Sequence, residues 1–357
     1  MKKIITIVGA RPQFIKLAPL SIALKAGGFK EVSIHTGQHY DQEMSDVFFK
    51  ELNIPEPSYK LTIGSATHGK QTGEMLQQIE AILIAEKPDA VVVFGDTNTT
   101  LAGALAAAKL GILLVHIESG LRSYNKNMPE EINRVLTDHS SDILLAPTPT
   151  AINNLAKEGI TKNVYNVGDI MQDSLNIGLE YLANHPTKFS TFDFPYVLAT
   201  IHRNYNTDDP IRLILILTQL NKLGKKVIFP IHPRTKNKLL EEGFDVHGLK
   251  ELTLTSPLGY FSFLATLKNC DYLITDSGGV QKEAYMIKKP CVTVRYETEW
   301  VETLKGGWNT LLGNDINNLS AFVPAPSEAE YTVNLYGDGS ASTQIVSLLT
   351  SKLYDQQ

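Results

Sequence analysis

Short runs of β-branched and other apolar residues alternate with amphipathic helical patterns along almost the whole chain. Such an alternation is typical of parallel sheets built from β-α-β units. It predicts strands over residues 3–8, 31–36, 90–94, 112–117, 143–146 and 163–167 in the first half, and over 196–199, 226–229, 251–255, 272–274 and 291–294 in the second. We therefore expect an α/β protein with two Rossmann-like domains that face a cleft.

The chain length also favours two domains. Its 357 residues, of which 43% are hydrophobic and 20% charged, are enough for two domains with a core each. We predict an N-terminal domain over residues 1–168 and a C-terminal domain over 169–339. A last helical segment, 340–357, could cross back to the first domain.

Charge and cysteine usage exclude several classes of protein. The formal net charge is −5 and the basic residues are dispersed, which argues against nucleic acid or an anionic membrane as partner. Cys270 and Cys291 lie in apolar stretches without a CxxC pair, so we expect buried free thiols and no zinc site. The first apolar run is short and ends at Arg11, which favours a buried strand over a secretory signal. With no stretch approaching the ~20 apolar residues of a membrane span, we expect a cytoplasmic protein.

Carboxylates follow two strands of the first half. Asp96 comes after the apolar strand 90–94, and Glu118 comes after the strand 112–117. Ligands bind beyond the carboxyl ends of such strands, and partial exclusion of water there can raise the pKa of a carboxylate enough for proton transfer. Glu118 is thus a candidate catalyst, whereas Asp96 fits a catalyst and a helix N-cap equally well. Glu130 lies at a predicted helix start, where the helix dipole alone would explain an acid.

Basic residues lie at the first predicted strand-to-helix turn. A dinucleotide-binding protein would carry G-x-G-x-x-G here, but the later glycines are absent, which argues against NAD. Arg11 can face a diphosphate, helped by Lys16 one helical turn on. The alternative is that both are solvated surface residues.

The second half carries a nucleotide-type turn. Ser277, Gly278 and Gly279 open a predicted helix whose free N–H groups form an anion site. Glu283, one helical turn later, is placed to hold ribose hydroxyls, so the pattern favours a nucleotide diphosphate. His202 follows a strand of the same half and could transfer protons or bind a phosphate, although a structural role is as frequent.

Six blocks contain these residues in a characteristic order. They are Gly9-Ala10-Arg11-Pro12, Gly95-Asp96-Thr97, His116-Ile117-Glu118-Ser119-Gly120-Leu121-Arg122, Pro129-Glu130-Glu131-Ile132-Asn133-Arg134, His202-Arg203 and Asp276-Ser277-Gly278-Gly279-Val280-Gln281-Lys282-Glu283. Over nearly the whole chain they resemble the non-hydrolysing UDP-N-acetylglucosamine 2-epimerases. The resemblance implies a GT-B fold, a homodimer, a UDP-sugar substrate and no cofactor. It implies inversion at C2 by anti-elimination of UDP to a 2-acetamidoglucal and syn re-addition, supplying UDP-ManNAc-type sugars for surface polysaccharide.

The same resemblance implies roles for single residues. Asp96, Glu118 and Glu130 match the catalytic carboxylates, and His202 matches a histidine near the diphosphate. Contacts to the UDP-sugar are implied for Arg11, Lys16, Phe263, Ser277, Gly278, Gly279 and Glu283, with Phe263 near the uracil. Gln38, His39 and Gln71 fall near positions of a second, activating UDP-GlcNAc site.

Two blocks depart from the family pattern. Tyr205 stands where the family commonly has Glu, and Trp300 stands where it has Arg. These changes resemble the branch acting on UDP-2,3-diacetamido-2,3-dideoxyglucuronate and other modified UDP-HexNAc sugars. A GT-B glycosyltransferase, a non-catalytic UDP-sugar sensor and a hydrolysing epimerase are the remaining alternatives.

Overall fold

Two parallel sheets dominate the structure. The computed structural model describes residues 1–38, 54–189, 192–231, 233–244, 248–322 and 324–354. The strands of the first sheet are β1 (Lys3–Val8), β2 (Lys30–His35), β3 (Tyr59–Lys60), β4 (Ala90–Phe94), β5 (Leu113–Ile117), β6 (Ile143–Ala146) and β7 (Val164–Asn166). Those of the second are β8 (Tyr196–Thr200), β9 (Lys226–Pro230), β10 (Leu252–Thr255), β11 (Leu273–Thr275), β12 (Cys291–Thr293) and β13 (Asn309–Leu311).

Helices connect the strands of both sheets. They are α1 (Arg11–Ala26), α2 (His68–Glu86), α3 (Asn98–Lys109), α4 (Pro129–Ser140), α5 (Pro149–Lys157), α6 (Ile170–Asn184), α7 (Asn204–Thr207), α8 (Pro210–Asn221), α9 (Pro233–Glu241), α10 (Tyr260–Asn269), α11 (Gly278–Met286) and α12 (Ala341–Tyr354). The strand orders are β3-β2-β1-β4-β5-β6-β7 and β10-β9-β8-β11-β12-β13. Each order changes direction beside the first strand of its half, as in doubly wound folds. The expected α/β class with two Rossmann-like halves is confirmed.

The chain divides into two compact units. The first contains Met1–Ile177 together with Asn334–Gln357, and the second contains Gly178–Val333. The division falls within α6, whereas the sequence prediction puts the boundary after residue 168.

Each unit has its own apolar core. In the first, strand residues such as Ile5, Ile7 and Val93 are buried against α2 and α3, and α1 also packs on β1. Parallel strands covered in this way are apolar along their whole length, which explains the uninterrupted runs in the sequence. In the second unit Cys270 and Cys291 are buried and free, as predicted.

Helix α12 packs against α1 and returns the end of the chain to the first unit. Asp173 in α6 accepts hydrogen bonds from the Ser342 backbone N–H at 2.8 Å and hydroxyl at 2.6 Å. The Tyr354 hydroxyl accepts one from the Lys2 N–H at 3.1 Å, and Ile345 is buried between these two ends of the helix.

In the part of the chain that the structure describes, no helix is both long and apolar enough to span a bilayer.

Candidate active site

Two adjacent strand ends of the first unit carry Asp96 and Glu118. Strands β4 and β5 pair with Phe94 beside Ile117, and the chain turns sharply after both residues. Glu118 itself has φ +71°, an uncommon backbone conformation for a residue with a side chain. A Cβ atom on Gly95, which has φ +63°, would lie 3.2 Å from Glu118 Oε2. The glycine therefore permits the Glu118 carboxylate to lie against the β4 turn.

Glu118 forms a buried ion pair with Lys16 of α1. The side chains of Lys16 and Glu118 are only 7% and 9% exposed. The alternative that Lys16 is a solvated surface residue is therefore wrong. Arg11, the first residue of α1, is half-buried. A diphosphate contact by either residue stays a prediction.

Asp96 is held by a second buried cation. Arg134 Nη2 donates to Asp96 Oδ2 at 2.6 Å, and Asn133 Nδ2 donates to the Asp96 carbonyl at 2.9 Å. Thr97 is the N-cap of α3, its hydroxyl accepting from the Thr100 N–H at 3.3 Å. The alternative that Asp96 caps the helix is therefore wrong.

Glu130 and Glu131 occupy the first turn of α4 but have different surroundings. Glu131 is buried and accepts hydrogen bonds from the Ser123 and Tyr124 N–H groups and from Arg134 Nη1, each at 2.8 Å. Glu130 is half-buried. Glu131 is therefore explained by a structural role, because its carboxylate fixes the start of α4 and the residues before it.

Of the three residues predicted for an activating site, Gln38 and Gln71 are described. Gln38 Oε1 accepts from the Thr99 N–H at 3.0 Å and hydroxyl at 2.8 Å. Gln71 is buried, and its Oε1 accepts from Asn98 Nδ2 at 2.8 Å. His39 lies outside the described residues.

A buried histidine–aspartate pair was not anticipated from the sequence. His116 Nδ1 lies 2.7 Å from Asp138 Oδ1 and His116 Nε2 lies 2.7 Å from the Gly95 carbonyl oxygen, and the side chains of His116 and Asp138 are 0% exposed. Arg122 Nη1 and the Gly120 N–H donate to the other oxygen, Asp138 Oδ2, at 2.7 and 3.0 Å. Burial alone would raise the pKa of Asp138, but the hydrogen bonds and charges of His116 and Arg122 lower it overall.

Arg122 also joins this pair to a helix end. Its Nε and Nη2 atoms donate to the two carboxylate oxygens of Glu158 at 2.7 and 2.8 Å. Burial lowers the pKa of Arg122, but the hydrogen bonds that it donates to Glu158 and Asp138 and the charges of both carboxylates outweigh burial and raise the pKa, so the guanidinium stays charged.

In the second unit, Asp276 shapes the loop that carries His202. Asp276 is 0% exposed and accepts hydrogen bonds from the backbone N–H groups of His202 and Arg203 at 3.1 and 2.9 Å. His202 Nδ1 lies 3.1 Å from Asp276 Oδ1, and the imidazole is 60% exposed. Asp276 therefore fixes the loop by its backbone, while the ring of His202 stays accessible.

The predicted serine-glycine-glycine helix start is confirmed. Ser277 is the N-cap of α11, and its hydroxyl accepts from the Val280 N–H at 3.4 Å. Gly278 and Gly279 are the first two residues of the helix, and Glu283 is buried one turn later. A Cβ atom on Gly278 would lie 2.4 Å from Glu299 Oε1, so a side chain at this position would have to displace the Glu299 carboxylate.

Phe263 and Trp300 are both buried. Phe263 packs in the core cluster of the second unit with residues such as Leu267 and Leu273, and a contact with uracil stays a prediction. The ammonium group of Lys282 lies 3.9 Å from the ring centroid of Trp300, and Lys282 is itself fully buried. The aromatic residue at position 300 thus covers a buried positive charge by a cation–π contact.

The described residues contain no group of three or more His, Cys, Asp or Glu side chains that could hold a metal ion.

Comparisons with known proteins give one consistent result. The family model described as UDP-N-acetylglucosamine 2-epimerase matches residues 23–350. A UDP-N-acetylglucosamine 2-epimerase homolog from Methanococcus maripaludis is 50% identical over 97% of this chain and 99% of its own length. The UDP-2,3-diacetamido-2,3-dideoxy-D-glucuronate 2-epimerase of Pseudomonas aeruginosa is 46% identical over 97% and 99%.

A solved structure is similar over its full length. The UDP-GlcNAc 2-epimerase of Methanocaldococcus jannaschii, in complex with UDP-GlcNAc and UDP, has a TM-score of 0.89 and 43% identity. The match covers 98% of this chain and 99% of that one. The two-domain GT-B fold expected from the sequence is thereby confirmed.

Proposed function

This chain belongs to the UDP-N-acetylglucosamine 2-epimerase family, whose members are isomerases. From that membership we propose that the protein inverts C2 of a UDP-N-acetylhexosamine without hydrolysing the sugar nucleotide. The proton on C2 is removed, the bond from C1 to the UDP oxygen breaks, and a 2-acetamidoglucal forms. UDP then adds back to C1 while C2 takes a proton on the opposite face. The equilibrium links UDP-GlcNAc-type and UDP-ManNAc-type sugars.

The arrangement of Asp96 and Glu118 carries this proposal. Their strand ends are adjacent, and each carboxylate is paired with a buried cation, Arg134 or Lys16. A positioned carboxylate can accept a proton from a reacting carbon and return one to it. Two such groups suit a reaction in which one proton leaves C2 and another returns. Glu130 is the third carboxylate in the proposal.

The second unit is proposed to bind the UDP group. Ser277, Gly278 and Gly279 begin α11, whose N–H groups and dipole favour the diphosphate. Arg11, Lys16 and His202 are proposed to stabilise the departing UDP oxygens, and Glu283 and Phe263 the nucleoside.

Turnover in deuterated water tests the reaction directly. We expect deuterium at C2 of both epimers when the purified protein is incubated with UDP-GlcNAc, because the base exchanges its proton with solvent. Epimers without deuterium after many turnovers would contradict elimination and re-addition. Stoichiometric release of UDP with a free inverted sugar would identify a hydrolysing epimerase. Turnover only in the presence of an acceptor would identify a glycosyltransferase.

A modified UDP-HexNAc is a second candidate substrate. The observation that favours it is Trp300 over the buried Lys282 ammonium, at a position where the family commonly has Arg. The relative from Pseudomonas aeruginosa is named as a 2-epimerase of such a modified sugar. On this hypothesis a UDP-2,3-diacetamido sugar gives a kcat/KM at least ~10-fold above that of UDP-GlcNAc. Equal or better turnover of UDP-GlcNAc would leave the parent activity as the answer.

The proposal also includes a homodimer, a cytoplasmic location, a role in surface polysaccharide synthesis and a second UDP-GlcNAc site near Gln38, His39 and Gln71. Light scattering of the purified chain tests the first of these. Rate measurements with the Gln71→Ala variant at rising UDP-GlcNAc test the last, because only an activating site predicts a change in sigmoidicity.

A further inference from the structure

The hydrogen bonds of His116 define its protonation state. Both ring nitrogens are within 2.7 Å of oxygen acceptors, Asp138 Oδ1 and the Gly95 carbonyl. A neutral imidazole has one donor and one acceptor nitrogen, so it can satisfy only one of these two oxygens. Two donors require the imidazolium form.

The surrounding charges support that form. Asp138 contacts His116 and Arg122, and Arg122 in turn contacts Glu158. With His116 as an imidazolium, two positive and two negative groups balance in this cluster. Lys16 and Glu118, which lie near Gly95, form a second balanced pair. A buried charge that is paired and hydrogen-bonded on every side avoids most of the cost of leaving water.

The pair holds the backbone of both catalytic turns. His116 binds the carbonyl of Gly95, the residue before Asp96. Asp138 accepts from the N–H of Gly120, two residues after Glu118. Between these two contacts Glu118 has φ +71°, a strained backbone conformation for a residue with a side chain, and such strain persists only where the surrounding structure holds it.

We propose that His116 is held as an imidazolium by Asp138 and is a positioning residue that aligns the turns of Asp96 and Glu118. The inference rests on the proposed function for the chemistry of these two carboxylates. His116 itself touches neither carboxylate in the described hydrogen bonds; it acts through Gly95, and Asp138 acts through Gly120.

Histidine-selective ¹⁵N NMR of the full chain tests the protonation state. The His116 signals are assigned by their loss in His116→Gln or His116→Asn. We expect both ring nitrogens to carry protons in the wild-type protein at neutral pH, and one ring nitrogen to be bare in Asp138→Asn. One bare ring nitrogen in the wild-type protein at that pH would overturn the proposal.

Kinetics test the positioning role. We expect His116→Gln to lower kcat on the order of 10²-fold, the scale of a small misalignment of reacting groups, with the Kd for UDP changed less than about twofold. His139→Gln is the matched control, since His139 follows Asp138 on α4, is half exposed and contacts Glu158. It should leave kcat unchanged.

The outcomes separate the inference from the function. A His116→Gln protein with lowered thermal stability but wild-type kcat would assign the pair a structural role and overturn the inference. Absence of epimerase activity in the wild-type protein would overturn the proposed function, while the NMR spectrum still decides the imidazolium.

Discussion

At the scale of single residues, Glu130 and Glu131 are adjacent and chemically identical but have different contacts. Glu131 is bound by two backbone N–H groups and by Arg134, whereas Glu130 is half-buried. We expect Glu130→Gln to lower kcat by about 10² at unchanged melting temperature, the scale of a lost general acid or base. Glu131→Gln should lower the free energy of unfolding by about 2 kcal/mol, because a charged hydrogen-bond network loses its charge.

Circular dichroism melts and initial rates of the two variants check this pair of expectations. Glu74→Gln, on the exposed part of α2, is the control for a neutralised glutamate. A stable Glu131→Gln together with an unstable Glu130→Gln would reverse the assignment.

The pKa of Asp138 predicts a pH dependence of stability. Burial raises that pKa, but His116 and Arg122 lower it below its ordinary value. A carboxylate with a lowered pKa in the folded state stabilises the fold above its unfolded pKa, about 3.9, and the stabilisation is lost as the pH falls through the folded value. The stability gap between wild type and Asp138→Asn should therefore be full at pH 7 and shrink below about pH 4.

Urea unfolding at several pH values measures this gap. Glu158→Gln serves as a second variant that weakens the same cluster from its exposed side. A gap that stays constant down to pH 3 would contradict the assigned direction.

Sequence patterns predicted the positions of Asp96 and Glu118 at strand ends better than they predicted the partners of these residues. Asp96 and Glu118 could be placed because apolar strands end in front of them. The partner of Glu118, Lys16, is 102 residues away, and that of His116, Asp138, is 22 residues away on a helix. No local periodicity encodes such a pairing, because it arises only when the sheet and its helices are assembled.

At the scale of elements, the start of α11 combines a cap with a proposed anion site. We expect Ser277→Ala combined with Gly279→Ala to weaken UDP binding, since the cap is lost and a methyl group crowds the N-terminus. Calorimetry with UDP measures the change. Asp209→Ala removes the side-chain cap of α8 in the same unit, and should cost about 1 kcal/mol of stability without changing the UDP affinity. Equal UDP affinities in both proteins would place the nucleotide elsewhere.

Most strands were predicted within one or two residues of their positions, because buried parallel strands are continuous apolar runs. Two strands were missed, β3 with two residues and β13 with three. Segments this short contain too few residues for an apolar run or a period to stand out.

At the scale of the whole molecule, the C-terminal helix completes the first unit. Removing α12 would expose its partner surface on α1 and leave the Asp173 carboxylate without its hydrogen bonds. We expect Ile345→Ala to cost about 2–5 kcal/mol, the range for a large-to-small change in a core, and the chain truncated before α12 to lose cooperative folding of the first unit. Thermal melts of both proteins measure these losses of stability. A truncated chain with wild-type stability would contradict the prediction.

The position of the domain boundary could not be read from the sequence. The division lies inside α6, a continuous helix, so neither a glycine- or proline-rich linker nor a change in periodicity marks it. The predicted boundary at residue 168 follows a glycine turn instead, which is where such breaks are expected.

The two buried cysteines can be used to measure transient unfolding of the second unit. Both belong to the second unit, and burial raises the pKa of Cys270 and of Cys291 to about 12. A thiol with such a pKa is almost entirely protonated at neutral pH and reacts slowly with alkylating reagents. The rate of alkylation therefore follows transient unfolding of the second unit alone, and slower labelling in the presence of UDP would measure how far the nucleotide suppresses it.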